Sequence, residues 1–212
     1  MGKLDNGILG GFSGKVGPVV GVYNKSTYYM RSLPAKRTTF TDAELLNQAK
    51  FKLVQDYLRP IKELLVLGFK NYFTKTGGYR AAIAYTRKHA LVNDEHGFHI
   101  DPALFKISGG DLALAVNPRV SLENQSTLLL QWEQAAADSN AHSADQLLVL
   151  LYHQESFLAY YQIYGTAFRH QGTYSLEVPP ELKEKDIAIY IGFVAANGSR
   201  QSDSQYLGRI TL

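Results

Sequence analysis

The hydrophobic period of this chain changes near residue 102, and that change restricts its possible architectures more than any other feature. Beyond it, apolar residues stop recurring at helical spacing and gather into short runs. Seven runs are legible, at 112–116 (LALAV), 127–133 (TLLLQWE), 146–153 (QLLVLLYH), 158–168 (LAYYQIYGTAF), 173–178 (TYSLEV), 187–195 (IAIYIGFVA) and 204–212 (SQYLGRITL). The segments between them, such as NPR, DSNAHSAD, VPPELKEKD and NGSRQSD, are rich in the residues that close tight turns. Short strands at this spacing predict an antiparallel sandwich. Alternation of Ile187, Ile189 and Ile191 with Ala188, Tyr190 and Gly192 predicts strands with one face in a core.

Before the change the pattern is helical. Thr41, followed by Asp42, Ala43 and Glu44, reads as a capping box in which hydroxyl and carboxylate each satisfy a backbone N–H. Leu46, Ala49, Leu53, Val54 and Tyr57 then share one face. Pro60 suits the first turn of a second helix with Leu64, Leu65, Phe69, Tyr72 and Phe73 on its apolar side, stopped by Gly77 and Gly78. A third helix is expected over Arg80 to His89, followed by a loop at NDEHG. The expected fold class is α+β: a β-hairpin and helical domain over 1–101 and a β-sandwich domain over 102–212.

GGFSGKVGPVVG, residues 10–21, invites comparison with a phosphate loop. It fails, because the first glycine of G-x-x-x-x-G-K-[ST] would fall at Leu9 and the hydroxyl position is Val16. The following VGPVVGVY, NKS and TYYMRS predict a hairpin, with Pro18 placing its first strand at an edge. A lone hairpin is marginal in water and must pack on something. Gly14, Val16, Gly17, Val19, Val20, Tyr28, Tyr29 and Arg31 are therefore the expected interface, glycines at an edge allowing another backbone to approach.

The chain has 212 residues and no cysteine, which excludes disulfides, thiolate catalysis and cysteine-ligated zinc. No apolar run reaches the about 18 residues of a membrane span. The N-terminus lacks the apolar core of a signal peptide, so a cytoplasmic location is expected. The net charge of +3 conceals an asymmetry: residues 1–100 carry 15 Lys/Arg against 7 Asp/Glu, and residues 101–212 carry 7 against 12. Such halves attract, within one molecule or between neighbours.

Asp94, Glu95, His96, His99 and Asp101 form the one dense group of metal-ligand types, but a glycine-containing loop does not converge three ligands. His142, His153 and His170 fall on loops or strand ends, and no G-x-S-x-G nucleophile elbow occurs. Glu181, Glu184 and Asp186 sit in turns, where carboxylates serve solubility. The 14 tyrosines include pairs at 28/29 and 160/161; on a strand Tyr160 and Tyr161 face opposite sides, so only one is expected in a core. No catalytic, metal or cofactor residue is assigned, and no enzymatic activity is expected.

Trp132 on an early strand and Tyr190 within IAIYIGFVA make the C-terminal half resemble a fibronectin type III or immunoglobulin-like module, the missing disulfide favouring the former. The N-terminal G-F-S-G-K-V-G block, with Arg31, Ser32, Pro34, Gln48 and Phe51, resembles an uncharacterised family found mainly in Bacteroidetes. The layout of hairpin, R-x-x-P and T-x-x-Q is similar to that of phage virion or tail-associated proteins, with Glu44, Leu45 and Leu46 departing from its usual T-x-A-Q wording. These resemblances imply architecture and bring no catalytic residue. The expected role is a structural or binding component of a larger assembly, self-associating through the hairpin. Two rivals are nucleic-acid binding, through Lys15, Lys25, Arg31, Lys36 and Arg37 with Tyr28 or Tyr29 stacking on bases, and carbohydrate binding on the sandwich.

Overall fold

The computed structural model describes residues 2–4, 7, 10–24, 26–72, 77–95, 97–124, 126–136 and 139–211. Lys25, Phe73 and His96, each named above, lie outside the described residues. By packing, the chain falls into two compact units, residues 1–45 and 46–212.

The first unit is a four-stranded antiparallel sheet, β1 (Lys3–Leu4), β2 (Phe12–Val16), β3 (Val19–Asn24) and β4 (Thr27–Ser32), in that order. The expected β3–β4 hairpin is present, but Pro18 does not sit in a strand. Gly17 and Pro18 form the two-residue turn joining β2 to β3, with Val16 opposite Val19. Gly17 takes φ +54°, and positive φ followed by proline fits the type II′ turn that matches strand twist. Pro18 thereby leaves the ladder, and β3 becomes an interior strand rather than an edge.

The helices follow. At the start of α1 (Asp42–Leu58) the capping box forms: Glu44 N–H donates to Thr41 Oγ1 at 3.3 Å and Thr41 N–H donates to the Glu44 carboxylate at 3.0 Å. Arg37 grips the same carboxylate at 2.8 and 3.0 Å, and with Thr41 holds its pKa below the ordinary value. A 3₁₀ turn at Arg59–Ile61, with Pro60 in its first turn, leads to α2 (Lys62–Gly68), which ends at Gly68 rather than at Gly77. Then come α3 (Gly78–Tyr85) and a π-helical turn at Thr86–Ala90. Asn93, Asp94 and Gly97, expected in a loop, instead lie in a hairpin, β5 (Leu91–Asp94) and β6 (Gly97–Ile100), with Glu95 in a turn.

Two antiparallel sheets complete the larger unit, giving an α+β fold. One holds β11 (Thr173–Glu177), β8 (Thr127–Glu133) and β7 (Val116–Asn124) in that order; the other holds β10 (Leu158–Gln162), β9 (Gln146–His153), β12 (Asp186–Val194) and β13 (Gln205–Thr211). The expected strands appear within a few residues of their expected bounds, with two exceptions. The run expected over 158–168 is a strand only to Gln162, residues 163–166 forming bends. The first strand is 116–124, not LALAV at 112–116, and NPR lies inside it. Asn117 adopts φ +45° and the register shifts between Val116 and Arg119, so Pro118 occupies a bulge on an edge strand, where a missing N–H is tolerated.

Between the sheets lies one core, built from Leu128, Leu130 and Trp132 of β8, Leu147, Val149 and Leu151 of β9, and Ile187, Ile189, Ile191 and Phe193 of β12. The opposite face of the four-stranded sheet carries Leu148, Leu150, Tyr152, Ala188 and Tyr190, which pack against Val54, Tyr57, Leu58, Leu64 and Phe69 of the helical layer. The expectation of strands with one buried face is therefore corrected: β9 and β12 are covered on both sides, so their sequences run apolar without alternation. Tyr160 and Tyr161 follow the same rule, the first packing towards the inter-sheet core and the second towards the helical layer. Both contribute to a core, where one was expected.

Tyrosines join the helical layer to the sheet. Tyr152 Oη donates to Tyr57 O at 2.8 Å and Tyr190 Oη to Pro102 O at 2.9 Å, while Gln154 Nε2 donates to Tyr57 Oη at 3.1 Å. Burial pushes all three phenols above their ordinary pKa. Thr86, fully buried in the π turn, has no partner for its hydroxyl among the described residues. An unpaired buried hydroxyl costs about 1–3 kcal/mol, so the isosteric Thr86→Val is expected to stabilise by about 1 kcal/mol. Urea denaturation checks this: the midpoint should rise at unchanged slope, and a lower midpoint would show that the hydroxyl is satisfied.

Candidate association surface

The expected interface residues occupy two faces of the N-terminal sheet. Successive side chains on a strand alternate in direction, and the register pairs Val16 with Val19, Gly14 with Gly21, Gly21 with Met30 and Tyr23 with Tyr28. Gly14, Val16, Val19 and Tyr28 therefore share one face with Phe12, Tyr23 and Met30. On the other, Lys15 stands opposite Val20, Val20 opposite Arg31, and Val22 opposite Tyr29. Gly17 belongs to the turn.

The glycines of the sheet admit rings of their own unit. A Cβ on Gly21 would fall 2.5 Å from the Phe12 ring, and one on Gly11 would fall 2.1 Å from the Tyr28 ring. Tyr28 in turn lies against Tyr23, with centroids 4.6 Å apart. Even so, the unit hides little apolar surface. Among the described residues of 1–45 no large apolar side chain is buried, while Val16, Tyr23, Tyr29 and Met30 are roughly half exposed or more.

The rival constellations are dispersed or occupied. Gly14 and Lys15 lie in a strand with no helix after them. Of the residues with metal-ligand side chains between 94 and 101, where no metal site was assigned, His99 Nδ1 is 3.6 Å from the Asp94 carboxylate, whereas Asp101 accepts the Ala103 N–H at 2.8 Å. No group of three metal-ligand side chains converges among the described residues. His153 contacts Ser156 Oγ at 2.6 Å and His170 contacts Ser143 O at 2.9 Å. His142 Nδ1 accepts the Ala144 N–H at 3.2 Å. Arg37, assigned to phosphates in the nucleic-acid reading, is held by Glu44. No helix among the described residues is long and apolar enough to cross a membrane.

Two clefts of about 390 and 530 Å³ flank Arg200 on the larger unit, the first containing Asp145 and the second containing Asp111 and Asp203. Asp111 is paired with Arg200 at 2.8 Å, Asp203 with Lys106, and Asp145 with Arg169 at 3.0 Å. The Arg169–Asp145 pair was not legible in the sequence. Arg169 Nη1 and Nη2 donate to Leu114 O at 3.1 Å and Ala113 O at 2.7 Å, and its guanidinium lies 3.8 Å from the Phe193 ring centroid. Trp132 Nε1 donates to Arg169 O at 2.8 Å. Burial lowers the Arg169 pKa, opposed by Asp145.

Residues 11–208 match the sequence profile of a family of unknown function, DUF6266. No curated protein matches the chain.

Proposed function

The chain belongs to that family, and because membership brings no assigned chemistry, we propose from the geometry that it is a non-enzymatic structural or binding component that self-associates through its N-terminal sheet. One observation carries the reading. Of the nineteen large apolar side chains exposed among the described residues, nine lie in the first 45 positions, where none is buried. A small sheet needs an apolar face packed on another layer to be stable in water, and exposed apolar patches mark association surfaces. The non-enzymatic part is supported by the clefts around Arg200, where each carboxylate is already committed to a cation. We further read the sandwich as fibronectin type III-like. Supporting this are its division into three and four strands, β10 lying beside β9, and Trp132 buried in the inter-sheet core.

Removal of residues 1–34 tests the reading. Light scattering should give an oligomer for the full chain and a monomer for the truncated one. An unchanged oligomer, or a monomer in both, removes the proposal. A second reading, nucleic-acid binding, is favoured by the placement of Lys15 and Arg31 on the same face as Tyr29. It requires salt-dependent retention of single-stranded DNA.

A further inference from the structure

The two faces of the N-terminal sheet differ in charge. Lys15, Val20 and Arg31 form one row across β2, β3 and β4, with Val22 and Tyr29 on the same face. Lys3, opposite Ser13, adds a third cation to that face. Lys3, Lys15 and Arg31 are all exposed, and none is in an ion pair among the described residues.

The larger unit offers the complementary surface. Helices cover the outer face of its four-stranded sheet, but the outer face of β7–β8–β11 carries three exposed glutamates, Glu123, Glu133 and Glu177, against one exposed cation, Arg119 opposite Gln131, around the half-buried Leu129. Register places Leu129 between Ser121 and Ser175, and Glu177 beside Thr127. Ser175 Oγ donates to Glu123 at 3.4 Å, and no Lys or Arg pairs with any of the three glutamates among the described residues.

We propose that the basic face of the β1–β4 sheet of one copy packs on the acidic outer face of the β7–β8–β11 sheet of a second copy. This rests on the self-association proposed above and names a partner for the basic face; Val16, Tyr23, Tyr28 and Met30 lie on the opposite face. Three cations around Val20, Val22 and Tyr29 meet a face on which three glutamates outnumber Arg119, and two sheet faces stack at about 10 Å. A twofold contact between like faces would set cations against cations, which is repulsive. Because the two patches differ, the contact is head to tail and generates a ring or an open filament.

The test uses two charge-reversed full-length variants, Lys15→Glu/Arg31→Glu and Glu123→Lys/Glu177→Lys. All four positions are exposed, so folding is retained and checked by circular dichroism. Each variant alone is expected to associate at least about a hundredfold more weakly in sedimentation analysis, since like charges then face each other. Mixing the two restores association, because each supplies the surface the other has lost. Raising NaCl from about 0.05 to 0.5 M weakens the parent chain, as screening at that distance requires. If the parent associates and loses association on removal of residues 1–34, yet Glu123→Lys/Glu177→Lys associates as well as the parent, the partner surface is wrong while the broader reading stands. A monomeric parent overturns both. Retention of single-stranded DNA that is lost in Lys15→Glu/Arg31→Glu, with Glu123→Lys/Glu177→Lys unchanged in mass, assigns the basic face to nucleic acid and also overturns the proposal.

Discussion

Arg169→Met is expected to destabilise the larger unit by about 3–5 kcal/mol, the cost of leaving a buried charge without its partner. Asp145 is almost fully buried, and among the described residues the Arg169 guanidinium is the cation within ion-pair distance of it. The same guanidinium satisfies the carbonyls of Ala113 and Leu114 and stacks on Phe193, so the substitution also orphans two acceptors. The double variant Arg169→Met/Asp145→Asn separates these contributions. Removing both charges should recover a substantial part of the loss, because replacing a buried pair by neutral groups costs far less than breaking it. Guanidinium denaturation of the three proteins measures this. A single variant within about 1 kcal/mol of the parent would show that water reaches the pair.

Gly68→Ala should also be strongly destabilising, by about 3 kcal/mol, the upper end of the range for overpacking. In an ordinary helix this change would be favourable by up to about 1 kcal/mol. Here a Cβ would fall 2.1 Å from Ile107 O, and Gly109 N–H donates to Gly68 O at 3.0 Å, so two backbones meet with no room between them. Neither partner is the tip of a flexible side chain, and relief requires the main chain to part. The thermal midpoint reports the outcome: an unchanged or raised value would mean that the 107–109 segment yields without cost.

Both effects arise at places that a linear reading does not mark. The strands were legible because turn residues punctuate them, and the Thr41–Glu44 cap because its partners are three residues apart. Arg169 and Asp145 are separated by 24 positions and obey no spacing rule; only the fold brings them together. Pro118 misled because proline and asparagine spell a turn more often than a bulged edge strand. The β5–β6 hairpin was missed because its strands are four residues each, too short for alternation to declare itself. At the N-terminal sheet the residue types pointed to association, but the division into a basic and an apolar face depended on register. Placing Gly17 and Pro18 in the turn fixes that register and decides which side each residue joins.

The double-sided burial of β9 and β12 bears on the order in which the molecule must be made. Their runs, LLVLLY and IAIYIGFV, combine high β propensity with no charge, the signature of segments that aggregate when uncovered. The helices that shield one side precede both strands in the chain, so during synthesis the cover leaves the ribosome before the sticky segments do. The layer that covers this sheet is thus complete in the chain before the sheet is, and a fragment that begins after residue 101 would present to solvent the surface that layer hides.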